Sequence, residues 1–363
     1  MQNTAQNQVQ NYKIIIFWLM ACAGMVFVMA VIGAITRLTE SGLSMVEWRP
    51  FIGMLPPYGD TEWQRVFALY QQTPEYMHKN GWMEIEDFKR IFFWEWLHRL
   101  WGRMIGVVYG LPFFWFLLRG SLPRKYLPHF FGLLLLGGSQ GLIGWWMVKS
   151  GLIDRPDVSH FRLATHLGMA FLIYACIVGL LLSVKKSGSA VMDEQGARLP
   201  LCIVKPFGLV ALLMFSITMV WGAFVAGLDA GMIYNHFPQM ARGSIFPEEP
   251  YFQSAILHDH AWVQFTHRAL AVTTGVVIFL YGWVMRSYLI QLAVTFQVML
   301  GITALLTQLW IPAAAMHQAG AFILLTVLII QIHRSFYSPH KAAEQSDGKT
   351  QIAKASAKEV DAL

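Results

Sequence analysis

The stretch Trp94-Glu95-Trp96-Leu97-His98-Arg99-Leu100-Trp101-Gly102-Arg103 decides the fold of this 363-residue chain. It places a His-Arg pair at the start of a long apolar segment, and the same pair returns as His267-Arg268. Two further histidines, His166 and His317, lie near the start of two other apolar segments. A histidine inside a bilayer is costly unless it has a partner, so these four histidines are candidates for a functional site.

The composition indicates a membrane protein. Hydrophobic residues make up 56% of the sequence and charged residues only 13%, unlike the balance of a soluble domain. A helix that spans a bilayer needs about 20 apolar residues. Eight segments meet that requirement, at 14–36, 95–118, 128–148, 160–184, 205–226, 264–286, 288–310 and 313–334. We therefore predict an all-α polytopic membrane protein with eight transmembrane helices.

Charge and cysteine usage exclude other classes of protein. The net charge is +6, but the basic residues are dispersed, so we expect contact with membrane lipid and no binding of nucleic acid. Cys22, Cys176 and Cys202 lie inside or beside predicted helices, which argues against a loop disulfide and a Cys-x-x-Cys motif. The first apolar segment runs into Thr36-Arg37 without an Ala-x-Ala site, so it is expected to be a retained helix rather than a signal peptide.

The charged loop residues predict an orientation. With eight helices both termini lie on one side, and the loop after the second helix carries Arg119, Arg124 and Lys125 without an acid. The loops on the other side carry most of the acidic residues. By the positive-inside rule both termini are cytoplasmic. The four histidines then lie at the outer ends of helices, roughly 4–7 residues, or about 6–10 Å, into each one.

The two halves of the chain repeat one another in the same order. The offset between equivalent positions shrinks along the sequence, which means that the same four helices are joined by longer loops in the first half. Most of the excess lies in the first outer loop, 37–94. Equivalent positions, with their offsets, are Gly33 and Gly222 (189), His98 and His267 (169), Gln140 and Gln297 (157), and His166 and His317 (151).

This repeat predicts two tandem, parallel four-helix bundles related by a pseudo-twofold axis along the membrane normal. The predicted boundaries are a cytoplasmic tail at 1–13, a first bundle at 14–184, a cytoplasmic linker at 185–204, a second bundle at 205–334 and a polar cytoplasmic tail at 335–363.

Each predicted bundle offers one pair of histidines on two of its helices. Two imidazoles in an apolar bundle are typical of metal ligation, and bundle cores are common cofactor sites. Zinc would need carboxylate or thiolate companions, and only Glu95 is available. A haem with two axial histidines suits a bundle rich in aromatic residues, methionine and glycine. We therefore predict that His98, His166, His267 and His317 ligate haem iron.

Five arginines lie at the predicted outer ends of helices, against the positive-inside trend. Arginine forks match carboxylates, so these residues are candidates for contacts with haem propionates; the alternative is that they reach back to lipid headgroups. They are Arg37, Arg99, Arg103, Arg162 and Arg268.

Glu95 precedes His98 by three residues and therefore lies on the same helical face. It could simply be a carboxylate favoured at a helix start. The functional interpretation is an acid that binds a proton or stabilises charge beside a haem. The position in the second half that is equivalent to Glu95 is Gln264. We therefore predict that the first half carries out the reaction and that the second half supports it.

These motifs resemble the haem A synthases of bacterial and mitochondrial inner membranes. The resemblance covers nearly the whole membrane part of the chain, in order, and the lack of paired loop cysteines is similar to the proteobacterial and mitochondrial branch. It rests on 36–44 (TRLTESGLS), 95–103 (EWLHRLWGR), 140–148 (QGLIGWWMV), 162–167 (RLATHL), 226–231 (AGLDAG), 263–268 (VQFTHR) and His317-Gln318.

The resemblance implies oxidation of the C8 methyl of haem O to a formyl group, which makes haem A for terminal oxidases. It implies that His267 and His317 are the axial ligands of a haem b cofactor, whereas His98, His166 and Glu95 form the catalytic site for the substrate haem O. It also implies a multi-pass protein of the bacterial cell inner membrane, with a haem O synthase and an electron donor such as ferredoxin as partners. A homo-oligomer is compatible with the sequence.

Two other functions remain open at this point. A dihaem membrane electron carrier that oxidises quinol would have no substrate haem, but such a relay normally needs haems at two depths. A haem transporter or chaperone would hold one haem only transiently. The haem recovered from the purified protein, changed or unchanged, separates these functions.

Overall fold

The structure is a computed structural model that describes residues 2–47, 52–153, 156–190, 206–241 and 243–336. The described residues form helices, turns and loops, with only an isolated bridge between Ala241 and Ser244 in place of strands. The helices are α1 (Gln2–Leu38), α2 (Asp60–Tyr70), α3 (Ile85–Leu118), α4 (Leu127–Ile153), α5 (His160–Ala190), α6 (Pro206–Gly227), α7 (Ala255–His258), α8 (His260–Val284), α9 (Tyr288–Leu306) and α10 (Ile311–Phe336).

All helices except α2 and α7 are long and apolar enough to cross a membrane, which gives eight candidate spans among the described residues. The prediction of an all-α polytopic membrane protein with eight such helices is confirmed. Most of the predicted linker and nearly all of the predicted C-terminal tail lie outside the described residues, as does Cys202. Cys22 and Cys176 are free thiols.

Two helices begin well before their predicted starts. Helix α1 begins at Gln2, twelve residues before position 14. Helix α3 begins at Ile85, ten residues before the predicted start at position 95. Its first turns carry charged residues, which lower the hydropathy of a segment that is nevertheless helical. A capping box starts the helix, in which the Glu84 backbone N–H donates to the Asp87 carboxylate (3.4 Å). His98 therefore lies thirteen residues into α3, whereas His166, His267 and His317 lie six or seven residues into their helices.

The eight long helices pack in two groups of four. In the first group α1 contacts α3, α3 contacts α4, α4 contacts α5, and α5 closes on α1; α6, α8, α9 and α10 are connected in the same order. The groups meet through α1, α5, α6 and α10. At their junction Phe171 of α5 stacks on Phe322 of α10, with ring centroids 4.1 Å apart. We call the end at which α1 and α6 finish and α3, α5, α8 and α10 begin the histidine end.

The connection between α1 and α3 folds into a small unit at the histidine end. Tyr70 of α2 is fully buried and stacks on Phe88 of α3, with ring centroids 5.2 Å apart. Met45, Ile91 and Phe92 complete this apolar cluster. The first turns of α3 thus provide the surface on which the connection packs. This explains why the helix extends beyond its apolar segment.

Candidate haem-binding site

Each of the four candidate histidines packs its ring against a glycine of the preceding long helix. A Cβ atom added to that glycine would lie 2.8–3.1 Å from Cε1 of the imidazole, so a side chain there would displace the ring. In every case the Nδ1 side of the ring lies nearer the glycine than Nε2 does. The pairs are Gly33 with His98, Gly144 with His166, Gly222 with His267, and Gly301 with His317.

This arrangement places the four histidines equivalently. Gly33 and Gly222 each lie five residues before the ends of α1 and α6, at Leu38 and Gly227. His98 is therefore at the same depth as its counterpart, despite the longer start of α3. The repeat seen in the sequence thus extends to the contacts of the imidazole rings.

The histidines form one pair in each group of helices. His98 and His166 come from α3 and α5 of the first group, and His267 and His317 come from α8 and α10 of the second. Nδ1 of His98 and of His166 is buried without a hydrogen-bond partner among the described residues. Since Nδ1 is enclosed, Nε2 is the ring nitrogen available for a ligand.

A glutamine supports the second histidine of each pair. The side-chain amide of Gln140 donates to the carbonyl oxygen of His166 (3.1 Å), and that of Gln297 donates to the carbonyl oxygen of His317 (3.0 Å). Nε2 of Gln297 also lies 3.2 Å from Nδ1 of His317. These bonds fix α4 against α5 and α9 against α10.

The donor set fits haem better than zinc. No group of three or more His, Cys, Asp or Glu side chains that could hold a metal ion occurs within the described ranges, whereas a structural zinc site needs four ligands. The two histidines of a pair come from α3 and α5, or from α8 and α10, which lie diagonally across their groups. Two imidazoles on diagonal helices, each packed on a glycine, suit the two axial ligands of a flat macrocycle.

Glu95 is buried and its two carboxylate oxygens are both occupied. Oε2 accepts hydrogen bonds from the hydroxyl of Ser44 and the backbone N–H of Met45, each at 2.7 Å, and Oε1 accepts one from Arg99 at 2.5 Å. The carboxylate is thereby fixed one turn before His98. The prediction that Glu95 acts on a substrate is not tested by these contacts.

The equivalent Gln264 is buried too, but it is neutral. Its amide donates to the carbonyl oxygen of Tyr234 (3.0 Å), and its Oε1 is buried without a partner among the described residues. In each half this side chain therefore forms hydrogen bonds with the loop that follows the first long helix. Only the first half has an acid at this position.

Arg99 holds the connection that follows α1. It donates to the carbonyl oxygens of Met45 (3.0 Å) and Glu47 (3.4 Å), as well as to Glu95. These bonds close the connection over the histidine end of the first group.

Arg268 does the same in the second half. It donates to the carbonyl oxygens of Tyr234 and His236, which are the counterparts of Met45 and Glu47 at the offset of 189. In the structure both arginines thus bind loop carbonyls. Whether they also contact haem propionates stays a prediction.

The other three candidate arginines belong to the first half alone. Arg37 forms an ion pair with Asp229 of the second half (2.7 Å), and Arg162 donates to the carbonyl of Trp146 (2.8 Å) while its guanidinium lies over that ring. Arg103 lies one turn beyond Arg99 and is partly buried. Their counterparts are apolar: Ala226, Val272 and Ala313.

Three other histidines of the membrane helices have structural partners. Nε2 of His160 lies 3.0 Å from the carbonyl oxygen of Leu257, and the ring of His129 packs on Tyr126. His333 lies 3.5 Å from the Ser183 hydroxyl.

Sequence reasoning missed the role of the glycines and of Ser44. The signal for the glycines was present, because Gly33 and Gly144 return at the same offsets as their neighbours. Only the structure shows that they face the imidazoles. Ser44 has no such signal, since its contact with Glu95 depends on the path of the loop.

These features define a polytopic helical membrane protein with two pairs of buried histidines at one level. The chain belongs to the COX15-CtaA family, described as cytochrome oxidase assembly protein, which matches residues 16–329. The resemblance to haem A synthases is confirmed by curated relatives.

Three of these relatives carry the name Heme A synthase. The chain is 48% identical to that of Rhodospirillum centenum over 336 residues, which cover 88% of each protein. It is 42% identical to that of Paramagnetospirillum magneticum over 329 residues, 87% of this chain and 92% of the relative. It is 38% identical to that of Parvibaculum lavamentivorans over 343 residues, 92% and 97% of the two chains.

Proposed function

We propose that this protein is a haem A synthase, an enzyme of haem A biosynthesis that oxidises the C8 methyl of haem O to a formyl group. The observation that carries the proposal is a difference within a repeat: both halves pack two histidines on two glycines, but only the first adds the buried carboxylate of Glu95. Two identical electron-transfer sites would not need that difference.

We assign haem O, the substrate, to His98 and His166, and a haem b cofactor to His267 and His317. Both ring pairs have the glycine surroundings that fit a bis-histidine haem. The first half also carries three arginines whose counterparts are apolar, so its histidine end is the more polar one. Polar and charged side chains can act on a reacting substrate, whereas a permanent cofactor requires only side chains that bind it.

A haem b in the second half supplies one-electron transfer when bound. The protein contributes positioning: His267 and His317 would hold the iron, and Gly222 and Gly301 leave room for the two rings. Gln297 orients His317 through its carbonyl and Nδ1.

In the first half Glu95 is assigned to the chemistry at the methyl carbon. Each of two successive oxidations would replace one C–H hydrogen by a hydroxyl group, with dioxygen as the oxidant. One oxygen atom enters the hydroxyl group, and the other leaves as water with two protons and the two electrons that the donor supplies. The resulting hydrated aldehyde loses water to give the formyl group. Glu95, fixed by Ser44 and Arg99, holds a negative charge that stabilises positive charge or accepts a proton beside His98.

The tandem organisation belongs to the same proposal. The order of helix contacts within each group supports two parallel four-helix bundles, 14–184 and 205–334. Arg119 and Arg124 lie at the end opposite to the histidines, which supports cytoplasmic termini in a bacterial inner membrane. A haem O synthase and an electron donor such as ferredoxin would then be partners.

The experiment is pigment extraction from membranes in which the protein is expressed together with a haem O synthase. Wild type should yield haem A or its hydroxylated intermediate. Glu95→Ala should lose this product while haem b stays bound, whereas His267→Ala should lose haem b.

Haem b in every sample, with haem O unchanged, would contradict the proposal. A dihaem electron carrier would then be the better assignment, and quinol oxidation would be measured next. Release of unchanged haem O to an acceptor would indicate a transporter.

A further inference from the structure

The connection between α1 and α3 contains a second buried acid. Glu75 is 4% exposed, and its Oε2 accepts a hydrogen bond from the hydroxyl of Tyr70 (2.9 Å). The Tyr70 hydroxyl in turn accepts one from the side-chain amide of Asn80 (2.8 Å). The charge of Lys79 acts on Glu75, but Lys79 forms its ion pair with Asp157 (2.5 Å). A buried carboxyl group with which no described cation pairs favours its protonated form.

The charged groups that face Glu75 act in the same direction as burial. Burial is the main cause that raises the pKa of Glu75 to about 8, and the negative charges of Glu95 on α3 and of Glu40 after α1 contribute to that increase. The hydrogen bond from Tyr70 and the charge of Lys79 oppose it. Glu75 therefore carries a proton at neutral pH.

Tyr70 and Glu75 pack on the face of α3 that holds Glu95. Phe88, Phe92 and Glu95 follow one another at spacings of four and three residues, which places them in one row along the helix. Tyr70 stacks on Phe88, and Phe88 contacts Phe92 edge to face, with centroids 5.7 Å apart. The row from Phe88 to Glu95 spans about 10 Å along the axis. Since α3 begins at the histidine end, the pair of Tyr70 and Glu75 lies nearer to that surface than Glu95 does.

Met45 connects the surroundings of the two acids. Its side chain belongs to the apolar cluster that encloses Tyr70, and its backbone N–H donates to Oε2 of Glu95 (2.7 Å). Because the charge of Glu95 contributes to the raised pKa of Glu75, the two acids titrate as a coupled pair. A proton gained by Glu95 makes Glu75 the stronger acid, and a proton lost by Glu95 makes Glu75 hold its own more firmly.

The second half has no such buried acid. The buried polar side chains among its described residues are Gln264 and Thr274, and neither is acidic. The offset between the halves falls from 189 to 169 across the connection between α6 and α8, which is therefore 20 residues shorter. That connection does contain a pair of tyrosine and glutamate, Tyr234 with Glu249 (2.8 Å), but both residues are only half-buried. A buried, protonated acid thus accompanies Glu95 but not its counterpart.

We propose that Glu75 supplies protons to Glu95 during the oxidation of the methyl group and regains them from water at the surface of the histidine end. The inference rests on the proposed function. In each oxidation one atom of dioxygen leaves as water, which takes up two protons together with two electrons from the donor. For each proton the O–H bond of Glu75 breaks, water carries the proton across the remaining distance, and the carboxylate of Glu95 accepts it. Glu95 then releases the proton to the water that forms, and outer water protonates the Glu75 carboxylate again.

The first test compares wild type with Glu75→Gln in cells that also express a haem O synthase. Glutamine still accepts the hydrogen bond from Tyr70, but it has no proton to release at neutral pH. We expect haem A and its hydroxylated intermediate to form about 100-fold more slowly, since proton transfer by a positioned side chain contributes about 10²–10⁴-fold. Bound haem O and haem b should not fall below their wild-type amounts. Glu75→Asp, which keeps a carboxyl group, should restore a large part of the rate.

The external pH distinguishes a proton donor from a residue with a structural role. In wild type the rate should fall as the external pH rises through about 8, because Glu75 then loses the proton that it supplies. Glu75→Gln should remain slow at every pH although its connection stays folded, as judged by resistance to proteolysis. A wild-type rate in Glu75→Gln would overturn the proposal, because a neutral side chain would then be sufficient.

Infrared spectroscopy follows the proton on Glu75 independently of the reaction. The C=O stretch of the protonated carboxyl group is identified by its absence from purified Glu75→Gln protein, and its loss with rising pH gives the pKa of Glu75. We expect this pKa to fall in Glu95→Gln, because the charge of Glu95 contributes to its increase. Glutamine is the residue at the equivalent position of the second half, so the substitution is compatible with the fold. An unchanged pKa would overturn the proposal, because the two acids would then be too far apart to exchange a proton.

The matched control is Glu249→Gln, which removes the carboxyl group of the pair of tyrosine and glutamate in the second half. It should leave the rate, its pH dependence and the bound haems unchanged. A loss equal to that of Glu75→Gln would overturn the proposal, because either connection would then respond to such a change. Absence of haem A in wild type would instead overturn the proposed function.

Discussion

Phe171 and Phe322 occupy the same position of the repeat, at the offset of 151, and they stack on each other with centroids 4.1 Å apart. Two equivalent residues touch in this way where a twofold axis passes between them, so the contact supports the proposed pseudo-twofold relation of the two halves. Phe171 is 4% exposed and Phe322 is fully buried. The stacked pair therefore lies at the centre of the junction between the two groups of helices.

Replacement of either phenylalanine by alanine should destabilise the junction by a similar amount. Loss of a buried aromatic ring leaves a cavity and costs about 3–5 kcal/mol. Unfolding in mild detergent, followed by the absorbance of bound haem and by tryptophan fluorescence, measures the loss. A large effect of Phe171→Ala with none from Phe322→Ala would argue against a shared position on the axis.

Each glycine that contacts a candidate histidine should be required for the function of that histidine's site alone. Gly222→Ala would bring a methyl group within about 3 Å of His267, so we expect loss of haem b from the purified protein. Gly33→Ala should leave haem b in place and reduce formation of haem A. Alanine favours helix over glycine, so a loss of haem cannot be attributed to a weaker helix.

The control for both variants is Gly24→Ala, at an exposed position with open space. Haem content is measured from the reduced pyridine complex. Normal haem b in Gly222→Ala would show that the ring of His267 can move without losing its ligand.

Arg268 should determine the stability of the connection between α6 and α8. It donates to carbonyl oxygens of Tyr234, His236 and Gln239, and hydrogen bonds from a charged donor contribute about 1.5–3 kcal/mol each. Arg268→Ala should accelerate hydrogen exchange of the amides between 232 and 252. Arg90→Ala, which removes a largely exposed arginine, should leave that exchange unchanged.

The small unit between α1 and α3 should lose stability as the pH rises. The pKa of Glu75 is raised to about 8, chiefly by burial and also by the charges of Glu95 and Glu40, although the hydrogen bond from Tyr70 and the charge of Lys79 lower it. The folded state thus holds a proton that the unfolded chain releases near its ordinary pKa of about 4.5. The stability from this group is complete below that value and is lost as the pH rises through about 8.

Glu75→Gln should remove this dependence, because glutamine keeps a hydrogen-bonding side chain without a titrating proton. Limited proteolysis of residues 60–84 at pH 6 and pH 9 measures the effect. Wild type should be cleaved faster at the higher pH, and the variant at one rate. Equal rates for wild type at both values would contradict a protonated Glu75.

The ion pair between Arg37 and Asp229 should contribute little to stability, although it joins the two halves. The side chain of Asp229 is 46% exposed, and exposed pairs contribute about 0.2–1 kcal/mol. A double-mutant cycle with Arg37→Ala and Asp229→Ala should give a coupling energy below about 1 kcal/mol. A larger value would mean that water is excluded from this pair.

Hydrophobicity and repetition predicted much of this molecule. The eight helices follow from runs of apolar residues, and the equivalence of His98 with His267 follows from constant offsets. The early start of α3 could not be predicted, because residues such as Glu86 and Arg90 conceal its helical turns from a hydropathy argument.

The contacts of the arginines could not be predicted either. Arg99 binds carbonyl oxygens of Met45 and Glu47, and a backbone acceptor leaves no mark in the sequence. The path of the connection after α1 decides which carbonyls reach the guanidinium group. The same limit applies to Ser44, whose hydroxyl meets Glu95 through that path.

The equal depth of the four histidines has a consequence for energetics. Gly33 and Gly222 lie equally far from the ends of their helices, so an electron that passes between haems held at His98 and His267 travels parallel to the plane of the bilayer. A charge that crosses the membrane potential gains or loses about 2.3 kcal/mol per 100 mV, but a charge that moves within the plane does neither. Exchange of electrons between the two sites would therefore proceed at the same rate in energised and de-energised membranes.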